Sequence, residues 1–159
     1  MDPLLELLRH NALMSHADLA NLLGSTEVDV KARIEAAEKE GKILGYHAIL
    51  DPEKTDDGNV AAVIEVRITP ERDGGFDKLA RRIARFEEVD SCYLMSGGYD
   101  LLVVVRGHDL RSVASFVAER LSTMEGVIST ATHFRLKCYK DNGNLLLQDE
   151  EVERLAVTP

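Results

Sequence analysis

Two short stretches of this chain hold the residues best suited to chemistry. The first runs from Ser15 to Tyr46. Ser15-His16-Ala17-Asp18-Leu19-Ala20-Asn21-Leu22-Leu23 reads as one helix and Gly24 as a tight turn. Thr26-Glu27-Val28-Asp29-Val30-Lys31-Ala32-Arg33-Ile34 opens a second helix, and Gly41-Lys42-Ile43-Leu44-Gly45-Tyr46 closes it. Two helices joined in this way form a helix-turn-helix, whose second helix can enter the major groove of DNA. The second stretch is Ser96-Gly97-Gly98-Tyr99-Asp100. Its glycines allow backbone conformations closed to other residues, so main-chain amides can approach a carboxylate. Asp100 can accept from an ammonium group, Tyr99 can wall a pocket, and Thr130 and Thr132 can add hydroxyls from a neighbouring chain. A free amino acid needs this pairing of donors and acceptor. The alternative is a plain hairpin in which Asp100 bonds its own turn amides.

Other chemistries find little support. No Ser-His-Asp, Cys-His or paired-carboxylate arrangement suggests a reaction, so the chain does not read as an enzyme. His108 and His133 lack metal-ligand spacing, and no metal or cofactor is expected. Cys92 and Cys138 are the only cysteines, each in an apolar strand-like run. Both read as reduced core residues of a cytoplasmic protein, although a disulfide between them is not ruled out by the spacing. No apolar run approaches the roughly 18 residues of a membrane span, and the start Met1-Asp2-Pro3-Leu4 lacks a basic secretory segment.

Charge argues against tight DNA binding by a single copy. The net charge over 159 residues is -9. Through Thr55, ten acidic residues oppose six basic ones, a balance of -4. DNA affinity comes largely from bases that neutralise phosphates. Binding therefore calls for clustering of the bases on one face, or for several copies acting together.

The supporting elements follow from hydrophobic spacing. Leu4, Leu5, Leu8 and Met14 belong to a first helix beneath the helix-turn-helix. Ser15 with Asp18, and Thr26 with Asp29, are capping pairs. Leu19, Leu22 and Leu23 line one helix face, Val30, Ile34 and Ala37 another, and Gly41 supplies a left-handed end. Lys42 to Leu50 alternates as a short strand or wing. The expected organisation is a DNA-binding unit over 1–50, a polar linker over 51–59, a sensing and oligomerisation domain over 60–140, and a tail over 141–159. In the third part Val60 to Ile68, Val89 to Met95, Tyr99 to Val105 and Val127 to Tyr139 read as strands. Phe76, Leu79, Ile83 and Phe86 mark one helix, and Val113, Phe116, Val117 and Leu121 another. The order β-α-β-β-α-β is the split arrangement of ferredoxin-like folds. Two helices cover one sheet face, so outward residues such as Val63, Leu102 and Val104 are expected to meet a second chain. The acidic tail, with Asp149-Glu150-Glu151 and the apolar pair Leu155 and Val157, is either a docking helix or frayed.

In this order the motifs resemble the leucine-responsive/asparagine regulator (Lrp/AsnC) family of transcription factors. The resemblance runs from about Leu4 to Tyr139. It is carried by Asp18-Leu19-Ala20, Val30-x-x-Arg33-Ile34, Glu38-x-x-Gly41-x-Ile43-x-Gly45-Tyr46 and Ser96-Gly97-Gly98-Tyr99-Asp100. It implies an α+β chain, an N-terminal winged helix-turn-helix followed by a ferredoxin-like dimerisation and effector domain. It further implies dimers that assemble into octamers or discs, and an amino-acid effector held between dimers that changes promoter binding. By the same resemblance His16, Thr26, Glu27, Asp29, Lys31 and Arg33 face double-stranded DNA, and the hairpin is the effector site. Each has a plainer role: a solvated His16, a helix cap at Thr26, an ion pair of Arg33 with Glu38 or Glu40. Where the family often carries small polar or basic residues this helix has Glu27, Asp29 and Glu35. A carboxylate can accept from cytosine N4 but repels phosphates, or it can stabilise the positive helix end without touching DNA. Two alternatives follow: a ligand-sensing oligomer without DNA binding, and a tetrapyrrole decarboxylase of similar architecture. The latter would draw on Arg81, Arg82, Arg85, His108 and His133.

Overall fold

Asp2, Ser15 and Thr26 each start a helix by turning a side-chain oxygen onto a free backbone amide. In the computed structural model, which describes residues 1–55, 58–70 and 75–146, these helices are α1 (Pro3–His10), α2 (His16–Leu23) and α3 (Glu27–Lys39). Asp2 accepts from the Leu4 amide at 2.9 Å, Ser15 from Asp18 at 3.1 Å and Thr26 from Asp29 at 3.2 Å. Such caps satisfy amides that the helix itself leaves without partners. Gly24, at φ 62°, ends α2 in the left-handed conformation that a side chain disfavours, and Gly41 at φ 69° follows the end of α3. Leu4, Leu8, Leu19, Ala20 and Val30 form the core of this unit, with Ile34 and Ile43 packed against it. The chain divides into two compact units, this one ending at Ile49 and the other beginning at Leu50.

The expected strand over Lys42 to Leu50 does not form. These residues have no regular structure and Leu44 is 94% exposed. Alternation alone does not make a strand, which needs a neighbour for its amides. Asp51 caps the short helix α4 (Pro52–Thr55) within the expected linker, accepting from the Glu53 amide at 3.0 Å.

The second unit is built on β1 (Val60–Ile68), α5 (Asp77–Ile83), β2 (Val89–Leu94), β3 (Leu101–Gly107), α6 (Leu110–Ser115) and β4 (Val127–Phe134). A π-helical segment, Phe116–Leu121, continues α6. The four strands form one antiparallel sheet in the order β2-β3-β1-β4. Alternate residues of β1 and β3 (Ala62, Ile64, Val66, Leu101, Val103, Val105) are buried against Leu79, Ile83, Val113, Phe116 and Leu121 from the helices. This is the α+β, ferredoxin-like arrangement that the strand order predicts. Register places the intervening residues Val63, Leu102 and Val104 on the uncovered face, where they are half-buried.

The last strand stops at Phe134, short of the expected Tyr139. A small hairpin follows, β5 (Lys140–Asp141) and β6 (Asn144–Leu145), turning at Asn142 (φ 44°) and Gly143 (φ 87°). Asn-Gly is the usual sequence for such a turn. Cys138 is accordingly outside any strand, half-buried rather than in the core; Cys92, on β2, packs against α5, its Sγ 3.9 Å from the Ala80 carbonyl. Both are unpaired. The acidic run 149–151, Leu155 and Val157 lie outside the described residues. No described helix is long and apolar enough to cross a membrane.

Ile64 is fully buried at the centre of the sheet. Ile64→Ala is expected to lower unfolding stability by about 3 kcal/mol through lost burial and an unfilled cavity. Urea denaturation with an unchanged m-value would measure it.

Candidate DNA-reading and effector sites

The residues expected at a DNA surface do not share one fate. Asp29 and Arg33 are engaged within the unit. The Asp29 carboxylate accepts from the Ser25 hydroxyl at 2.6 Å and lies 3.6 Å from Arg33 Nη1. Arg33 Nη2 donates to Asp2 Oδ1 at 2.8 Å. Asp2 thereby caps α1 and anchors α3 together. Arg33 pairs with these two acids, 31 and four residues away, rather than with Glu38 or Glu40. Thr26 is a helix cap. Its oxygen accepts from Asp29, while the hydroxyl lies on the exposed surface at the start of α3. Glu27, Lys31 and His16 are exposed. Lys31 Nζ stands 3.9 Å from Glu35, a solvated i,i+4 pair of little energetic weight. His16 and Lys31 line a surface hollow of about 320 Å³ with Met14, Glu35, Glu38 and Tyr46. The Tyr46 hydroxyl donates to Glu38 at 3.1 Å. Partial burial, and then this bond to a carboxylate, push the phenol above its ordinary value of 10.0.

At the second site the carboxylate acts structurally. Asp100 Oδ2 accepts from the backbone amide of Ile68 at 2.8 Å, and the Asp100 amide donates to the Val66 carbonyl at 3.0 Å. β3 begins only at Leu101, so the side chain of Asp100 extends its ladder to β1 by one more bond. The β1–β4 register breaks between Arg67 and Ile68, beside this contact. The Asp100 side chain therefore bonds the central strand rather than its own turn amides. Arg67 Nε donates to the Gly98 carbonyl at 2.9 Å, and the Met95 amide donates to the Asp100 carbonyl at 2.8 Å. Together these bonds hold the 95–100 loop at the end of the sheet.

Gly97 and Gly98 do not use the conformational freedom expected of them. Neither has a positive φ, and a Cβ on either would meet open space. Tyr99 is half-buried. Thr130 and Thr132 pair with Val66 and Ile64, whose side chains are buried beneath the helices, so both threonines lie on that side of the sheet. The Thr130 hydroxyl is 3.1 Å from that of Ser122. Val66 pairs with Thr130 on one side and with Leu101, next to Asp100, on the other. No hydrogen bond joins the threonines to the hairpin among the described residues.

A mixed-charge cleft of about 420 Å³ was not visible in the sequence. It is lined by Glu88, Asp90, Arg106, His108 and Ser112. Arg106 Nη2 pairs with Asp90 at 2.8 Å. Arg120 pairs with Glu88 while its guanidinium covers the Phe86 ring at 4.5 Å. Among the described residues no group of His, Cys, Asp and Glu could hold a metal ion. Arg81, Arg82 and Arg85 are exposed on and just beyond α5, and His133 faces Glu65 at 3.4 Å. The basic groups a tetrapyrrole would need are not gathered.

Residues 61–145 match the family model of the Lrp/AsnC ligand binding domain. This chain belongs to the Lrp/AsnC family of transcriptional regulators. It is 44% identical to the HTH-type transcriptional regulator YugG of Bacillus subtilis (strain 168), over 98% of this chain and 95% of that one. It is 32% identical to the proline dehydrogenase transcriptional activator of Rhodobacter capsulatus, covering 80% of this chain and 82% of that one. Among solved structures, the transcriptional regulator NMB0573/L-Met complex of Neisseria meningitidis superposes with a TM-score of 0.68 at 26% identity. That match covers 87% of this chain and 88% of the other. These Lrp/AsnC relatives are regulators, which points away from enzymatic activity.

In this Lrp/AsnC chain the Tyr46–Glu38 bond has a definite pH signature. A phenol raised in the folded state contributes stability that is complete below its ordinary value and is lost as pH rises through the raised one. An ultraviolet titration of phenolate formation is expected to show one tyrosine ionising late, and Glu38→Gln to bring it earlier. An unchanged titration in the variant would remove the bond.

Proposed function

We propose that this regulator binds double-stranded DNA through α2 and α3, and that a free amino acid held near the 95–100 loop changes that binding. The observation that carries the first part is the outward surface of α3, which begins at a capped N-terminus and is free of the unit's own core. Helix-turn-helix proteins present such a surface to base edges in the major groove. Lys31 and His16 supply phosphate contacts, and Thr26 adds a hydroxyl beside the helix N-terminus, where amides favour an anion. Glu27 either accepts from cytosine N4 or stays outside the groove.

For the effector, Gly97, Gly98, Tyr99 and Asp100 lie on one short loop, and Thr130 and Thr132 occupy β4 near the same end of the sheet. The methionine complex of the Neisseria relative supports an amino acid as the class of ligand. Asp100 contributes by fixing the loop through Ile68, leaving the loop amides and Tyr99 for contact. Since no hydrogen bond joins the loop to the threonines among the described residues, the complete site draws on a neighbouring copy. The half-buried Val63, Leu102 and Val104 on the uncovered sheet face provide a dimer surface, and a larger ring such as an octamer would bring further loops together.

One observation favours a second reading, an oligomer that senses its ligand without binding DNA. The N-terminal charge is negative, and Arg33, one of its few bases, is neutralised by Asp2 and Asp29. Fluorescence anisotropy of the full-length protein on its own upstream DNA, at several salt concentrations and with or without the twenty amino acids, separates the two. The DNA-binding reading expects saturable binding that weakens with salt and shifts with the mixture. Lys31→Ala is expected to weaken binding to all sequences alike and to lower the salt slope by about one. No binding by the wild type, together with binding by Glu27→Gln, would establish the second reading.

A further inference from the structure

Helical geometry sorts the side chains of α3 by direction. With 100° between residues, Val30, Ile34 and Ala37 share the core face. Val28 and Ala32 fall opposite Val30 and are both exposed. Val28 is 80% exposed, and it belongs to no hydrophobic cluster of the unit. A lone exposed apolar residue is common on protein surfaces. Its place decides the matter here, because Val28 is the second residue of the helix whose N-terminal turn points at base edges in a helix-turn-helix.

The neighbouring side chains have other tasks. Thr26 caps the helix, and Asp29 is held by Ser25 and Arg33. Of the first turn, only Glu27 and Val28 remain free to meet a base. A β-branched residue with no buried contact is a poor choice for helix stability. Valine carries no donor or acceptor, so it can read only an apolar group. The major groove offers one such group, the 5-methyl of thymine.

We propose that Val28 is a specificity-determining residue that packs on a thymine 5-methyl group in the major groove, with Ala32 one turn further along the same surface. The assignment rests on the DNA-binding reading above and deepens it. It explains how a helix poor in free positive charge can discriminate sequence: the discrimination is apolar, and insensitive to the unfavourable local charge.

Uracil differs from thymine only by that methyl, which gives a direct test. A binding duplex is first selected from genomic fragments with the full-length wild-type protein. Each thymine of the site is then replaced singly by uracil, and anisotropy is measured for wild type, Val28→Ala and Lys31→Ala. Burying one methyl group corresponds to about fourfold in affinity. The wild type is expected to lose about that factor at one or two positions and nothing elsewhere. Val28→Ala should be indifferent to uracil at those same positions, whereas Lys31→Ala should keep the full sensitivity. Alanine at an exposed helical site preserves the fold, and an unaltered thermal melt verifies it. Binding that is uniformly insensitive to uracil, or sensitivity that survives in Val28→Ala, overturns the assignment while leaving DNA binding intact. Failure of the wild type to select any duplex overturns the DNA-binding reading itself, and this inference with it.

Discussion

A strand in the middle of a sheet has to satisfy its backbone amides on both edges, and β1 does so against β3 and β4 over almost its whole length. Buried amides without partners cost about 1–3 kcal/mol each, so the ends of the neighbouring strands are as consequential as their centres. By register β3 begins two residues too late to serve Ile68, and the Asp100 carboxylate fills the gap. That bond joins those of the Asp100 amide to Val66 and of Arg67 to Gly98 in tying the 95–100 loop to the central strand. The loop proposed to hold the effector is thus also a structural joint. Its aspartate is needed to hold the loop before any ligand arrives, and the loop amides are presented by a frame that a ligand need not build.

The N-terminal unit resolves a different conflict, between packing its helices and carrying a sequence rich in acids. Its solution is local neutralisation. Ser25, Arg33 and Asp2 surround Asp29, so the carboxylate closest to the start of α3 after Glu27 is spent on folding. The same cluster fixes α3 against the cap of α1, which orients the outward surface. Fixing orientation in this way keeps Arg33 paired within the unit.

Local features were legible in the sequence and distant ones were not. The Thr26 and Ser15 caps, the left-handed Gly24 and Gly41, and β1 at Val60–Ile68 follow from rules that act within a few residues. Asp2, which Arg33 bonds, and Ile68, which Asp100 bonds, lie 31 and 32 residues away, and no spacing rule reaches so far. Reading Gly97 and Gly98 as special conformers failed because a six-residue loop has room to turn without positive φ. The missing strand at 42–50 shows the limit of alternation where the unit offers no neighbour. Asn142-Gly143 is the opposite case, a hairpin whose signal was present and local but lay where strand and tail were expected to meet. Thr130 and Thr132 could be placed on β4 from the sequence, but only register assigns them to the helix side.

The two outermost ladders of the sheet share a property with a consequence for assembly. The β2–β3 pairing shifts register between Val89 and Ser91, and the β1–β4 pairing between Arg67 and Ile68. Such breaks twist a strand and interrupt the regular comb of amides and carbonyls that recruits further strands. An open apolar sheet face invites association of some kind, and irregular rims steer it. Growth by strand addition at the rims, the route towards fibres, is discouraged, and stacking face to face is left as the favoured contact. The broken rims thus leave the sheet's apolar face, and not its edges, as the surface on which contact is favoured.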